Sequence, residues 1–547
     1  MNYDELANLI FPDVLDSSVY EAKYPKRKLK EGAMVTRFAP SPTGFVHMGS
    51  LYTSFADIRL ARQTGGVVYL RIEDTDQKRE IEDGITGIIH DFDNLKIYFD
   101  EGPTQGGDYG PYIQSKRKEI YQSFAKKLLK EGKAYPCFIT EEELKEIKEV
   151  QEKKKVRIGF YGRWAKYRDL KVEEAIAKIK AGVPYIIRLK SPGNFENKVV
   201  LDDCIKGKIE MPENDMDVVI IKSDGLPTYH FAHAIDDHLM RTTHVVRGDE
   251  WVSSYPIHKQ LFEVLGFEVP KYAHIAPLTI REGNTVRKLS KRKDKESAIS
   301  FYHKLGVPNE VINLYIATVN NSNFEEWYVA NPDKTIDDYE FTFDKMPVGG
   351  SLFDLEKLQS ISKIYFSKLT AVDIYNRTLE YAKQYDMEFY NLMNQDKDYL
   401  VALLNIERNV ERPRMDIGSY SDVKKQFWYM YDELFNKIEA PYKEVSYSYD
   451  VSFIKDYFVN VYNEEDTEED WFHKVKEYAK DKGFAINRKE YKENPSSFLG
   501  NIADFCSIIR VMLTTSNTSP NMYDLLKIYG KDKLLKRVDL FLDSINQ

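Results

Sequence analysis

The stretch from Ala33 to Ile72 constrains the fold more tightly than any other part of this chain. Ala33 to Phe38 carries β-branched Val35 and Thr36 and predicts a short strand. Pro40-Ser41-Pro42-Thr43-Gly44 then imposes a rigid turn. From Gly49 to Gln63, Leu51, Phe55 and Ile58 recur at i, i+4 and i+7, the spacing of one helix face. Gly65-Gly66 stops that helix, and Val67 to Ile72 reads as a buried strand. A strand, a turn, a helix and a second strand make a βαβ crossover, which requires a parallel sheet in an α/β fold.

The rest of the chain is organised around this unit. At 547 residues it exceeds a single core, so three or more packed units are expected. A mixed region over 112–227 includes strands at Tyr185–Leu189 and Asp217–Ile221. A second α/β stretch has Thr243–Val246 as a strand and leads to a basic loop at 287–295. Beyond about residue 300 the pattern is almost entirely helical. There Cys506 falls on the apolar face of an amphipathic helix with Ile502, Phe505, Ile509 and Leu513, a core position rather than a chemical one. The acidic run Glu464–Asp470 suits the N-terminal end of another helix. No apolar run approaches the ~20 residues of a membrane span, and the first residues lack the basic and apolar segments of a secretory signal. Cys137, Cys204 and Cys506 are far apart and form no C-x-x-C, so a reducing, cytoplasmic setting is expected.

Net charge is −9, yet two segments are basic. Tyr112–Lys133 and Arg281–Lys295 each hold seven basic residues against two acidic ones, enough to guide a polyanion to one face. Two short constellations carry chemistry. His47-Met48-Gly49-Ser50 stands at a predicted helix start, where unpaired amides and the positive dipole end attract anions. His47 can donate to a phosphate there, Gly49 leaves room for close approach of a nucleotide, and Ser50 follows. Lys288-Leu289-Ser290-Lys291-Arg292 places three cations in five residues, suited to a transferring phosphate whose charge changes. Neither G-x-G-x-x-G nor a P-loop is present. Each motif alone is ambiguous, as a helix cap or a solvated surface; the pair is specific.

With these motifs the sequence resembles the class I aminoacyl-tRNA synthetases. Arg37–Gly44, Arg71–Asp76, Pro227–Met240, Val245–Trp251 and Ser351–Leu358 resemble the glutamyl branch of that family. The resemblance covers nearly the whole chain after residue 33. It implies an α/β Rossmann-like catalytic domain with an inserted α/β acceptor-binding domain, followed by an all-α C-terminal anticodon-binding region. Residues 1–32, which read as one N-terminal helix and then a basic segment ending at Lys30, would be an N-terminal extension, 33–111 and 228–283 the two catalytic halves, and 112–227 the insertion. Residues 284–369 would hold the basic loop and a stem-contact domain, and 370–547 the helical anticodon-binding domain. The implied activity is ATP-dependent glutamate–tRNA ligation, with Mg2+ accompanying ATP and with tRNA(Glu), ATP and L-glutamate as partners. A monomer and no membrane association are expected, with tRNA bound before activation.

The resemblance also implies residue roles. Lys291 would stabilise the leaving pyrophosphate, aided by Lys288 and Arg292, with His47, Gly49, Ser50 and Ser290 completing the ATP site. Arg37 and Arg247 offer fork-shaped donors to the glutamate carboxylates, and Glu73 a counter-charge to its amine. Tyr229 and His233 would line the same pocket, and Arg414 would read the anticodon. Which arginine meets which carboxylate stays open. Some relatives carry a zinc set in the insertion, but Tyr135–Thr140 and Tyr161–Trp164 offer only Cys137, so zinc is not expected. The stretch with His230, His233 and His238 lacks H-E-x-x-H, and His230 and His233 fit the pocket wall beside Tyr229 better than a metal site. Two alternatives stand beside the ligase: a noncatalytic RNA-binding relative, and a shorter enzyme that glutamylates a modified base. Intact His47, Lys291, Arg37 and Arg247 weigh against the first, and the length of the chain against the second.

Overall fold

The computed structural model describes residues 3–42, 44–76 and 83–545. The chain divides into two compact units, Met1–Ile299 with Asn313–Asp354, and Ser300–Ile312 with Leu355–Gln547.

The first unit begins its sheet with β1 (Val35–Phe38) and β2 (Val67–Leu70), parallel and in register from Val35↔Val67 to Phe38↔Leu70. The Met48–Gln63 helix joins them, so the expected βαβ crossover is present; Thr43 of the turn lies outside the described residues. Gly66 is obligatory where the chain re-enters the sheet, because a Cβ there would lie 1.8 Å from the Met34 carbonyl oxygen. Next come β3 (Ala134–Cys137), β4 (Ile186–Leu189), β5 (Lys198–Asp203), β6 (Gly207–Pro212), β7 (Val219–Ile221), β8 (His244–Gly248) and β9 (Lys271–Ile275). β3, β4 and β7 form one antiparallel sheet. β8 and β9 pair in parallel, and the β5–β6 hairpin extends their sheet through Asp203↔Tyr272. That hairpin belongs to the region read from sequence as an insertion, yet it is bonded to the second α/β half.

The two parallel pairs meet at β1 and β8. The Thr243 amide donates to the Val35 carbonyl at 3.0 Å, and the Val35 amide donates to Thr243 Oγ1 at 2.8 Å. Ligands of open α/β sheets bind beyond the carboxyl ends of such strands. β10 (Leu278–Glu282) and β11 (Thr285–Lys288) form a hairpin through Gly283, whose φ of +60° favours glycine, and β12 (Ser351–Leu352) adds to β10. This hairpin delivers the basic loop.

The N-terminal segment forms two helices, Tyr3–Ile10 and Ser17–Lys23, where the sequence suggested one. Pro12 lies between them, and Asp16 caps the second by accepting from the Ser18 amide at 3.0 Å. Ala7, Phe11, Tyr20 and Tyr24 are buried in one cluster with Tyr121 and Phe124, so the segment is part of the unit's core.

The second unit is helical apart from a two-residue parallel contact of Phe484–Ala485 with Gly500–Asn501. Its core collects Phe366, Leu403, Phe427, Phe505 and Phe541 among others, with Cys506 packed against them; burial pushes that thiol up to about 11. Thr467 caps the Glu468–Asp481 helix, placing three acids in its first turn. Among the described residues no helix is long and apolar enough to cross a membrane.

Candidate active site

At the carboxyl ends of β1, β2 and β8 lies a cavity of about 420 Å³, lined by Arg37, Glu73, Tyr229, Arg247 and Trp251 among others. A second cleft of about 270 Å³ shares Phe38, Ser41, Thr53 and Gly248 with it, and is lined by His47, Gly49, Ser50, Lys288 and Lys291. The two sequence constellations, separated by some 240 positions, therefore face one continuous space.

Beneath the first cavity is a buried ion cluster. Asp237, on the Tyr229–Leu239 helix, receives Arg71 Nη1 at 2.8 Å and Arg37 Nε at 3.3 Å. Arg71 also donates to Glu73 at 3.0 Å, and Arg37 to the Val246 carbonyl at 3.2 Å. All four ionic side chains are buried. Burial opposes the charge on Asp237, but Arg71, Arg37 and His233 hold its carboxyl well below the usual range. Burial pushes Glu73 upward, against the pull of Arg71 and Arg37. Sequence reading left Asp237 without a role and quoted Arg71 only as part of a motif. The adjacent acids Asp236-Asp237 on a mostly apolar helix were the available signal.

Arg247 is anchored differently. Its Nε donates to His274 Nε2 at 3.0 Å and its Nη1 to His258 Nδ1 at 3.0 Å. Its contacts with the Tyr229 hydroxyl and the Trp251 carbonyl are longer, 3.5 and 3.4 Å, and it lies over the Tyr272 ring. Among the described residues, none of its hydrogen bonds is to a carboxylate.

His233 was expected to touch the substrate. It is fully buried behind Tyr229, with Nε2 at 2.9 Å from the Tyr272 hydroxyl and Nδ1 at 2.7 Å from Asp237. It supports the wall rather than lining the cavity, because Tyr229 intervenes. Of the three histidines, His230 and His233 both pack against His258, while His238 lies apart, paired with Glu21 and stacked on Phe267. Among the described residues no group of three or more His, Cys, Asp or Glu side chains is arranged to hold a metal ion. Cys137 is buried with its thiol directed at the Lys166 carbonyl.

In the second cleft His47 caps the Met48–Gln63 helix, its Nδ1 accepting from the Ser50 amide at 3.2 Å. That bond places the ring proton on Nε2, leaving a donor for a ligand. Burial, with Lys291 and Lys288 nearby, lowers its pKa to about 3, so the ring is neutral. The demand for glycine at 49 comes from this same ring, since a Cβ would meet its Cε1 at 2.8 Å. In the basic loop, Lys288, Lys291 and Arg292 are all exposed, and Lys288 reaches Glu250 at 3.2 Å. The Ser290 amide is held by Asp294 at 2.7 Å, and Arg287 grips the same carboxylate with two bonds of 2.7 Å. Arg287 and Asp294 shape the loop, a role their sequence position did not reveal.

In the second unit Arg414 is largely buried. Its Nε donates to Asp416 at 2.8 Å and its guanidinium lies 5.3 Å from the Phe427 ring. Both terminal nitrogens are buried without a hydrogen-bond partner among the described residues. The exposed arginine of this segment is Arg412.

Comparison with known proteins fits this geometry. The family described as tRNA synthetases class I (E and Q), catalytic domain, matches residues 33–359. The glutamate–tRNA ligase of Clostridium perfringens strain SM101 is 47% identical over 99% of this chain and 100% of its own length. That of Acetivibrio thermocellus is 42% identical over 99% of this chain and 100% of its own. The crystal structure of glutamate–tRNA synthetase from Elizabethkingia anophelis matches with a TM-score of 0.73 and 25% identity, covering 93% of this chain and 100% of that one. The chain belongs to the class I tRNA synthetases of the E and Q group and, within it, to the glutamate–tRNA ligases.

Proposed function

We propose that this chain activates L-glutamate with ATP in the paired cavities and transfers it to the terminal adenosine of tRNA(Glu). The observation that carries the reading is Arg247, a buried guanidinium at the cavity wall whose partners are neutral. A buried charge of this kind is stabilised when a ligand carboxylate arrives with bidentate geometry. Arg37 offers a second guanidinium, already shared with Asp237, and Glu73 supplies negative charge for the substrate ammonium. Tyr229 and Trp251, with ring centroids 4.5 Å apart, close the apolar side.

ATP occupies the second cleft in this reading. A glutamate carboxylate oxygen attacks the α-phosphorus and expels pyrophosphate, giving glutamyl-adenylate. A ribose hydroxyl of the terminal adenosine then attacks the acyl carbon and expels AMP. Nothing on the protein becomes covalently bound, so catalysis rests on position and electrostatics. His47 donates from Nε2, and Gly49 and Ser50 present the helix start. Lys291, with Lys288, Ser290 and Arg292, meets the charge growing on pyrophosphate. Mg2+ enters with the ATP phosphates and lends them further charge neutralisation.

The remaining parts follow the same reading. Residues 33–111 and 228–283 form the catalytic halves and 112–227 the acceptor-binding insertion. Residues 284–369 carry the loop and stem contacts, and 370–547 bind the anticodon. Arg414 keeps two unpaired donor nitrogens in reserve there. A monomeric, cytoplasmic enzyme fits these roles. ATP–pyrophosphate exchange, run with glutamate and with other amino acids, with and without tRNA, tests the proposal. Exchange specific to glutamate and dependent on tRNA(Glu) is expected; exchange supported by another amino acid instead would overturn it.

A further inference from the structure

The bonds around Arg247 assign protons uniquely. An arginine only donates, so His274 Nε2 and His258 Nδ1 must both be bare nitrogens. His274 therefore carries its proton on Nδ1, which donates to Asp203 Oδ2 at 2.6 Å. Asp203 is itself fixed by the backbone amides of Ile205 and Lys206, each at 2.9 Å. On the other side His258 carries its proton on Nε2 and donates to His230 Nδ1 at 2.8 Å. His258 and His274 are fully buried, and each gives up one lone pair to the guanidinium. Asp203, the carboxylate in this chain of bonds, reaches Arg247 only through an imidazole.

Arg37 is the contrast within the same cavity, since its guanidinium touches Asp237 directly. A carboxylate in the place of His258 or His274 would hold Arg247 equally well in space. It would also neutralise the charge that draws an acidic ligand. Imidazoles hold the fork without spending its charge. We propose that His258 and the His274–Asp203 pair are positioning residues that fix Arg247 through neutral acceptors. Their choice leaves the Arg247 charge to a carboxylate of the amino-acid substrate and favours glutamate over its neutral amide. This rests on the reading of Arg247 as a substrate partner. Neutrality is secured by the surroundings: burial and the neighbouring Arg247 keep His258 well below its ordinary range, and burial lowers His274 as well.

The test is a graded series in the full-length enzyme, measuring KM for glutamate, KM for ATP, kcat, and inhibition by glutamine. In His258→Asn the amide oxygen stands where Nδ1 stood, a neutral acceptor of similar reach; in His258→Asp a carboxylate takes that place; His258→Ala removes the acceptor. The expected order of glutamate KM is Asn lowest, then Ala, then Asp, with Asp raised roughly a hundredfold over Asn. KM for ATP is expected to stay within about threefold throughout, and glutamine to compete better against glutamate in the Asp variant. Equal glutamate KM in the Asn and Asp variants would overturn the inference, as would an Ala variant no weaker than Asn. Should His258→Asp fail to fold, His274→Gln against His274→Glu repeats the contrast at Nε of the guanidinium. Arg247→Gln separates the two levels of argument. If it leaves glutamate KM unchanged, the substrate site itself is misassigned; if it raises KM while the histidine series is flat, only the positioning role is lost.

Discussion

Replacing Asp237 with asparagine removes one charge from the centre of the catalytic unit and leaves its shape. The carboxylate faces Arg71 at 2.8 Å and Arg37 at 3.3 Å. At an effective dielectric of 20 these contacts amount to about 6 and about 5 kcal/mol of gross attraction. Burial of each ion opposes that by several kcal/mol, so the net loss on breaking the cluster is about 3–5 kcal/mol. The asparagine oxygen can still accept one hydrogen bond, which places the expected effect toward the lower figure. Because the folded Asp237 carboxyl is held well below its usual value of 3.8, its contribution is complete above that pH. It is lost as pH falls through the folded value, so the difference between wild type and Asp237→Asn should be full at neutral pH and shrink in strong acid. Thermal unfolding of both proteins at pH 7.5, followed by denaturant melts from about pH 7 down to about pH 2, measures this. A variant within about 1 kcal/mol of wild type at neutral pH would refute the reasoning, because the cluster would then be no more than a surface-like pair.

Lys291→Ala should slow adenylate formation roughly a hundredfold with little change in glutamate KM, since its contact strengthens as pyrophosphate leaves; rapid-quench measurement of the first turnover decides it. Burial raises the Asp57 carboxyl well above its usual 3.8, so the folded state prefers it protonated. That preference supports the fold below the usual value and is lost as pH rises through the folded value. Asp57→Asn should therefore hold or increase stability at alkaline pH, and a melt showing large destabilisation there would mean the ionised carboxylate is required. Arg414→Gln should increase charging of glutamine tRNA relative to glutamate tRNA while adenylate chemistry is retained, as read by aminoacylation of both species. Equal discrimination in both proteins would assign the unpaired Arg414 nitrogens to packing instead.

The crossover was legible in the sequence because its signals are local. The β-branched pair Val35 and Thr36, the i, i+4, i+7 face of Leu51, Phe55 and Ile58, and the Gly65-Gly66 stop each act within a few residues. Backbone preference and helix periodicity are properties of short segments. The catalytic constellations were legible for the same reason, as short runs of unusual composition at His47–Ser50 and Lys288–Arg292. The break between the first two helices was missed, although Pro12 and the Asp16 cap mark it. Other features lay beyond any local pattern. Arg37 meets Asp237 across 200 positions, and Arg247 is held by His258 and His274, which carry no motif. Nothing near Arg414 in the chain says that its guanidinium will turn inward while Arg412 faces out. Residue type and spacing determine which charges the chain possesses. Whether a given arginine has its charge balanced by a carboxylate or held by a neutral imidazole depends on which strands and helices pack together, and only the tertiary structure decides that.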